Sequence, residues 1–320
     1  MKSVTVFAPA TVANVAVGFD LLGFSLAGVG DEITVTRRTQ PGIGIEKIES
    51  AGAEVSQAEL DSLPRDPQKN TATVGVLQLL ADHPLPFGLN FSIRKGIPLG
   101  SGMGGSAASA VAGVVAANAF LAHPLARETL LGYALMGEEV ASGSRHADNA
   151  APCLYGGLVL ALSAEKIISL PLPASIRCVL VHPHLRVETR QARAVLSPQV
   201  SLQTHVHQSA KLAGFLAGCF QSNLSLIQSS LQDLIIEPQR AHLVPGFAEA
   251  KAAALNAGAL GCSLSGSGPS VFAWSENEIK AEAICKAMVH AFTARGIETD
   301  SWISEILTPG ASVRNAKTEG

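Results

Sequence analysis

GIPLGSGMGGSAASAVAG, residues 96–113, sets six glycines and three serines among a run of small apolar residues. Glycine reaches backbone conformations that let N–H groups approach a ligand closely, and a helix starting behind them aims its positive end at the same point. The stretch reads as a loop that cradles phosphate and opens a helix. Ser101 and Ser106 add hydroxyls, Ser106 in the helix's first turn.

Its surroundings decide which phosphate. Gly100, Gly102 and Gly105 satisfy the G-x-G-x-x-G spacing of a dinucleotide site. Such a site needs a strand after the helix and an acidic residue about 20 positions on, for the ribose. Here a second helical pattern follows, and after Asp82 the next acidic residue is Glu128. No Gly-Lys-Ser/Thr follows the glycines either, so the nucleotide-hydrolase P-loop fails. A nucleoside triphosphate held for cleavage is what remains, with a divalent cation and an acceptor held in line.

Working outward, SVTVFAP and DEITVTRR alternate as strands, with PATVANVAVGFDLLG between them expected as a loop. Residues 50–68 are polar and read as a surface excursion. TATVGVLQLLADH has helical spacing behind Asn70 as N-cap, and GLNFSIRKG is a strand leading into the glycine loop. Helices are expected over 107–120 and 127–140, strands at GGLVLALS and IRCVLVHP, and helical patterns over 188–258. ALGCSLSG and PSVFAWS, a helix over 278–294 and a strand near SWISEI close the chain. The mixed order predicts α+β rather than alternating α/β.

At 320 residues the chain exceeds an ordinary single core, so two lobes around a cleft are expected, 1–165 and 166–320. Residues are 47% hydrophobic and 15% charged, and mean hydropathy is +0.29, which excludes extensive disorder. With a net charge of −3 and no basic patch, no nucleic-acid partner is expected. The longest apolar run, 107–122, falls short of a membrane span, and Pro9, Thr11 and Asn14 interrupt any leader-like segment. Five scattered cysteines read as reduced core thiols of a cytoplasmic protein.

PLGSGMGGSAAS resembles the P-x-x-x-G-L-G-S-S-A-A motif of the galactokinase–homoserine kinase–mevalonate kinase–phosphomevalonate kinase (GHMP) superfamily, and within it the chain resembles the homoserine kinases. APATVANVAVGFDLLG, GEEVASGSRHADNAAP, RVETRQARAVLSP, EPQRAHLVPGF and LSGSGPSVFA carry the likeness from residue 8 to residue 273. HADNAAP and the EPQRAHLVPGF block are more specific than the glycine loop. The resemblance implies a two-lobed α+β GHMP-kinase-like fold, with a ribosomal-protein-like N-terminal lobe and a ferredoxin-like C-terminal lobe. It implies ATP and Mg2+, and L-homoserine phosphorylated on its side-chain hydroxyl within threonine biosynthesis. Similar kinases are often dimers, so a homodimer is an expectation.

By the same resemblance, ATP phosphates lie on Pro98, Leu99, Gly100, Ser101, Gly102, Met103, Gly104, Gly105, Ser106, Ala107 and Ala108. Glu138 and Ser106 are the Mg2+ oxygens. Asn14, Asp20, His146, Thr189, Arg193 and Arg240 bind the acceptor, Asp20 at its ammonium and the arginines at its carboxylate. Asn149 orients the hydroxyl, and Arg193 also neutralises charge during transfer. Direct in-line attack without a strong base is expected, Asp148 and His146 being the candidates otherwise. The second glycine turn, 264–270, is expected to bring backbone close to the cleft. Gly105 stands where the motif has a serine. That leaves a non-catalytic binding protein, or a sister kinase for another alcohol, as alternatives at this point.

Overall fold

A computed structural model describes residues 1–52, 55–143 and 145–318. In chain order the elements are β1 (Ser3–Ala13), β2 (Leu22–Arg38), β3 (Ile43–Ser50), α1 (Gln57–Asp61), α2 (Thr71–Asp82), β4 (Gly88–Lys95), α3 (Gly105–Asn118), α4 (Arg127–Ser142) and α5 (Ala147–Tyr155). Then come β5 (Leu158–Ser163), β6 (Lys166–Leu170), β7 (Arg177–Pro183), α6 (Thr189–Ala194), α7 (Leu202–Phe220), α8 (Leu224–Ser230), α9 (Glu237–Arg240) and α10 (Phe247–Asn256). The chain finishes with β8 (Gly261–Leu264), β9 (Val271–Ser275), α11 (Glu278–Thr293), β10 (Thr299–Glu305) and β11 (Ser312–Lys317).

Alternation builds the first sheet. Val4, Val6 and Ala8 of β1, and Ile33 and Val35 of β2, are fully buried. The strand order is β11-β1-β2-β4-β3, and β5 pairs with the start of β2 and carries β6. β3 lies parallel to β4 and the other pairs are antiparallel. β1 runs four residues further than expected from SVTVFAP. A bulge between Pro9 and Thr11 absorbs the proline, after which Thr11, Val12 and Ala13 pair with Ser25, Phe24 and Gly23. The true loop is therefore only 14–21. α2, α3, α4 and α5 pack together, α3 and α5 also lying against β1 and β2. α3 begins at Gly105, two residues before its expected start, and is buried on nearly every side.

The second sheet has the order β10-β7-β9-β8, all antiparallel. Numbered along the chain that order is 4-1-3-2, with helices between the first and second and between the third and fourth strands, the ferredoxin-like plan. Phe247, Ala250 and Ala254 of α10 and Ala281, Ile284, Met288 and Phe292 of α11 fill one side. On the other side Phe272 and Trp274 meet Phe24 of the first sheet at ring-centre distances of 5.9 and 5.7 Å. Phe215 of α7 approaches Trp274 at 5.6 Å. The two sheets thus share apolar packing.

The sheets divide the chain differently from a split at 165/166. That point falls inside the β5–β6 hairpin, and both β6 and β11 belong to the first sheet. Among the described residues no helix is long and apolar enough to cross a membrane.

Candidate active site

A cleft of about 550 Å3 opens between the sheets. Its walls are the 14–20 turn, the glycine loop, the end of α4, the start of α5, residues 186–193 and the turn at Gly266. The glycine loop shapes one end. Gly100, Gly102 and Gly104 have φ of 67°, 76° and 67°, so alternate residues are left-handed. Gly104 is the N-cap of α3, and no side chain caps that helix, which leaves its first N–H groups facing the cleft. The second glycine turn braces the loop: Ser265 Oγ donates to Gly102 O at 2.7 Å, and Ser270 N donates to Ser101 O at 3.1 Å. Close backbone approach by that turn, expected from sequence, is what the geometry has.

The loop residues do not all face the cleft. Pro98 to Gly102 and Gly104 to Ser106 line it. Met103 turns its side chain into the core while its carbonyl accepts from Thr11 N at 3.0 Å, and Ala107 and Ala108 are fully buried in α3. The side chains of those three pack in the core. Ser101 Oγ is buried and finds no partner among the described residues, an orphan that a phosphate oxygen would satisfy. A side chain at Gly105 would meet Ile97 Cγ2 at 3.2 Å and approach Lys95 Nζ at 3.7 Å.

Lys95, which the sequence reading passed over, lies beneath the loop. It pairs with Asp31, and its Nζ donates to Gly105 O at 3.0 Å and Ser109 Oγ at 2.9 Å. Asp31 in turn accepts from Gly96 N and Ile97 N at 3.0 and 3.2 Å. A buried pair with its remaining hydrogen bonds satisfied fixes the turn into the loop. Parity was the available signal. Asp31 shares the inward face of Ile33 and Val35, and Lys95 that of Phe91 and Ile93.

Glu138 on α4 is buried, and desolvation pushes its carboxyl up to about 7 against the opposing pulls of a Ser106 hydrogen bond and the Lys95 charge. One carboxylate and one hydroxyl are hard oxygen donors, and a cation beside them would offset the desolvation. Among the described residues no group of three or more His, Cys, Asp or Glu could hold a metal. One carboxylate and one hydroxyl would suit a hard divalent cation such as Mg2+ whose remaining shell came from phosphates and waters.

The cleft also holds a charged cluster. Asp20 and Arg193 form a fork, with Arg193 donating through both terminal nitrogens at 2.7 and 3.2 Å. His146 Nε2 stands 3.6 Å from Asp20. Arg240 is 2% exposed and donates to Ala192 O and Gly266 O. Burial, with the Arg193 charge beside it, lowers its guanidinium to about 10. Both arginines sit over the Phe19 ring, at 5.4 and 5.1 Å. Asn14, Val15, Ala16 and Asp20 all have positive φ. Asn14 holds that turn by accepting from Asp20 N and donating to Gly266 O. Its amide is thus engaged as a strut between the sheets.

Asn149 lies on α5 and His146 is its N-cap, a helix that no sequence expectation covers and that has Pro152 inside it. Asn149 Oδ1 accepts from Thr11 Oγ1 at 2.7 Å. Asp148 is buried, and its carboxyl is pushed up to about 7 by desolvation and by the charges of Asp20 and Glu138. Thr189 lines the cleft, 3.5 Å from Ser267 Oγ. Asn70, expected as an N-cap, caps α2 through Ala72 N and donates to Pro64 O.

Comparison with known proteins agrees with this geometry. A model of the GHMP kinases N terminal domain matches residues 70–157, and one of the GHMP kinases C terminal matches 212–294. The chain is 49% identical over 305 residues to a homoserine kinase of Xylella fastidiosa (strain 9a5c), spanning 95% of this chain and 92% of that one. It is 43% identical over 327 residues to a homoserine kinase of Chlorobium phaeobacteroides (strain BS1), spanning 98% and 100%. The chain belongs to the homoserine kinase family. The crystal structure of the family's member from Cytophaga hutchinsonii superposes with a TM-score of 0.92 at 43% identity, covering 98% of each chain. Membership makes the protein an ATP-dependent kinase with the two-lobed GHMP fold, as the order of motifs implied.

Proposed function

We propose that the protein transfers the γ-phosphoryl group of ATP to the side-chain hydroxyl of L-homoserine, giving O-phospho-L-homoserine for threonine biosynthesis, in the cytoplasm. The observation that carries this is the Asp20–Arg193 fork beside Arg240, lining the same cleft as the glycine loop. A carboxylate and two guanidinium groups, the latter both over the Phe19 ring, are complementary to an α-ammonium beside an α-carboxylate. A neutral alcohol offers neither charge, and would give the fork and Arg240 nothing to exchange for their present partners.

Asn149 supports the in-line reading. With Oδ1 held by Thr11, its amide N–H groups are left to donate to the acceptor oxygen, which turns a lone pair toward the phosphorus. The oxygen attacks, the β–γ bridging bond breaks, and the hydroxyl proton passes to a γ-phosphate oxygen. Glu138 and Ser106 would hold Mg2+, which when bound supplies charge neutralisation on the phosphates. His146 and Thr189 fit the acceptor wall, and the uncapped end of α3 fits the phosphates. Catalysis on this account is positioning and electrostatics.

The test is ADP release in a coupled assay with Mg2+ and ATP, against L-homoserine, mevalonate, shikimate and galactose in parallel. Turnover with homoserine alone is expected. Turnover with another alcohol, or with none, overturns the reading.

A further inference from the structure

We propose that Arg186, on the segment between β7 and α6, is the cation that binds the ATP polyphosphate from the second sheet's side of the cleft. The inference rests on the nucleotide reading of the glycine loop. It begins with where each cation of the cleft is already engaged. Lys95 is paired with Asp31, Arg193 with Asp20, and Arg240 donates to two carbonyls. Lys69, Arg186 and Arg190 also line the cleft, and among the described residues their side chains make no hydrogen bond or ion pair.

Of these three, Arg186 is the one laid across the phosphate loop. A Cβ built on Gly100 would stand 2.9 Å from Arg186 Cγ, 3.3 Å from its Nε and 3.5 Å from its Cδ. Gly100 is thus left-handed and also the place where the arginine stem crosses. Any side chain there would displace the arginine as well as strain the backbone. The guanidinium is carried to the loop with its N–H fork uncommitted, the geometry suited to phosphate oxygens.

The charge balance asks for such a group. The glycine loop offers backbone dipoles and hydroxyls but no net charge, because the one cation beneath it is neutralised by Asp31. A polyphosphate keeps negative charge after one divalent cation, and more of it gathers on the leaving β-phosphate as transfer proceeds. Arg186 also stands three residues before Thr189 and seven before Arg193. One short segment would thereby touch the nucleotide with its first residue and the acceptor with its later ones.

The experiment compares full-length wild type with R186A and R186K. It titrates AMP, ADP and ATP by calorimetry in the presence of Mg2+, with steady-state kinetics for both substrates. R186A is expected to bind ADP and ATP at least tenfold more weakly while AMP changes less than twofold. It should keep the homoserine KM within twofold and lower kcat at least tenfold. R186K should fall between R186A and wild type. R186M keeps the stem over Gly100 and replaces R186A if the latter melts at a different temperature. Wild-type affinity for ATP in R186A, or a loss of homoserine affinity equal to the loss for ATP, overturns the proposal. Failure of the wild type to bind any nucleotide overturns the kinase reading itself, and this role with it.

Discussion

Thr11 is fully buried at the end of β1, and it touches both halves of the chemistry. Its N–H donates to Met103 O, its hydroxyl donates to Asn149, and a Cβ on Gly104 would come within 2.0 Å of that hydroxyl. The Asn149 amide, proposed above to orient the acceptor, is thereby referenced to the cap of α3. T11V keeps the shape and removes the bond, so kcat should fall about tenfold with the KM for ATP unchanged, and T11S should restore it. In an N149A background the same substitution should cost almost nothing, a cycle read from kcat. Asp148 makes a second case. Unfolded, it ionises near its ordinary 3.8, and folded near 7. The folded chain holds the extra proton between those values, so its stability falls as pH rises from about 4 to about 7 and is level above. D148N should remove the Asp148 share of that fall, the Glu138 share remaining, and raise the unfolding free energy at pH 8 over wild type by on the order of a few kcal/mol. Under in-line attack without a strong base, D148N should also keep kcat within tenfold, whereas a general base would be worth about 100-fold or more. At this scale the sequence was most legible where chemistry needs unusual residues in a row, as in the glycine loop and HADN. It was least legible where a side chain is tied to another element, as Thr11 is to Asn149, or where a side chain expected at the acceptor, such as Asn14, also ties down a turn.

Among the elements, those with strong apolar periodicity or caps lay close to where the sequence put them. α2 starts behind Asn70, and α4 begins at Arg127. The strands that went unread, β3, β6 and β11, lie at or toward the edges of the first sheet and bury little. Their register comes from backbone pairing, so no alternation marks them. No sequence expectation covers α5, whose Pro152 cannot donate to the carbonyl of Asp148. That carbonyl lies instead against Gly23, where a Cβ would be 1.8 Å away. The junction of β4 with the glycine loop makes the sharpest element-scale prediction. Lys95 and Asp31 hold the strand end, the turn and the first turn of α3 to one another. K95M leaves Asp31 buried without its cation and should destabilise by about 3–5 kcal/mol in denaturant unfolding. K95M/D31L should recover part of that loss.

For the whole molecule, the α+β class and the paired lobes were legible because the motifs follow one another in a fixed order along most of the chain. The return of β11 to β1 was not, since Ser312–Lys317 is exposed along nearly all its length and carries no inward face. The lobes meet through aromatic packing at Phe24 and Trp274 and, across the cleft, through the Asp20–Arg193 fork, whose two members come from opposite sides of the molecule. On the proposed acceptor site, an entering amino acid would open that internal pair and form two new ones, with no net charge delivered to the site. Acceptor binding is therefore an electroneutral exchange, and a Debye atmosphere has little to screen. The homoserine KM should change less than twofold between 50 mM and 500 mM KCl, while the KM for ATP should climb several-fold. Singly charged mimics, a plain carboxylic acid or a plain amine, would have to break the fork and leave one half of it bare.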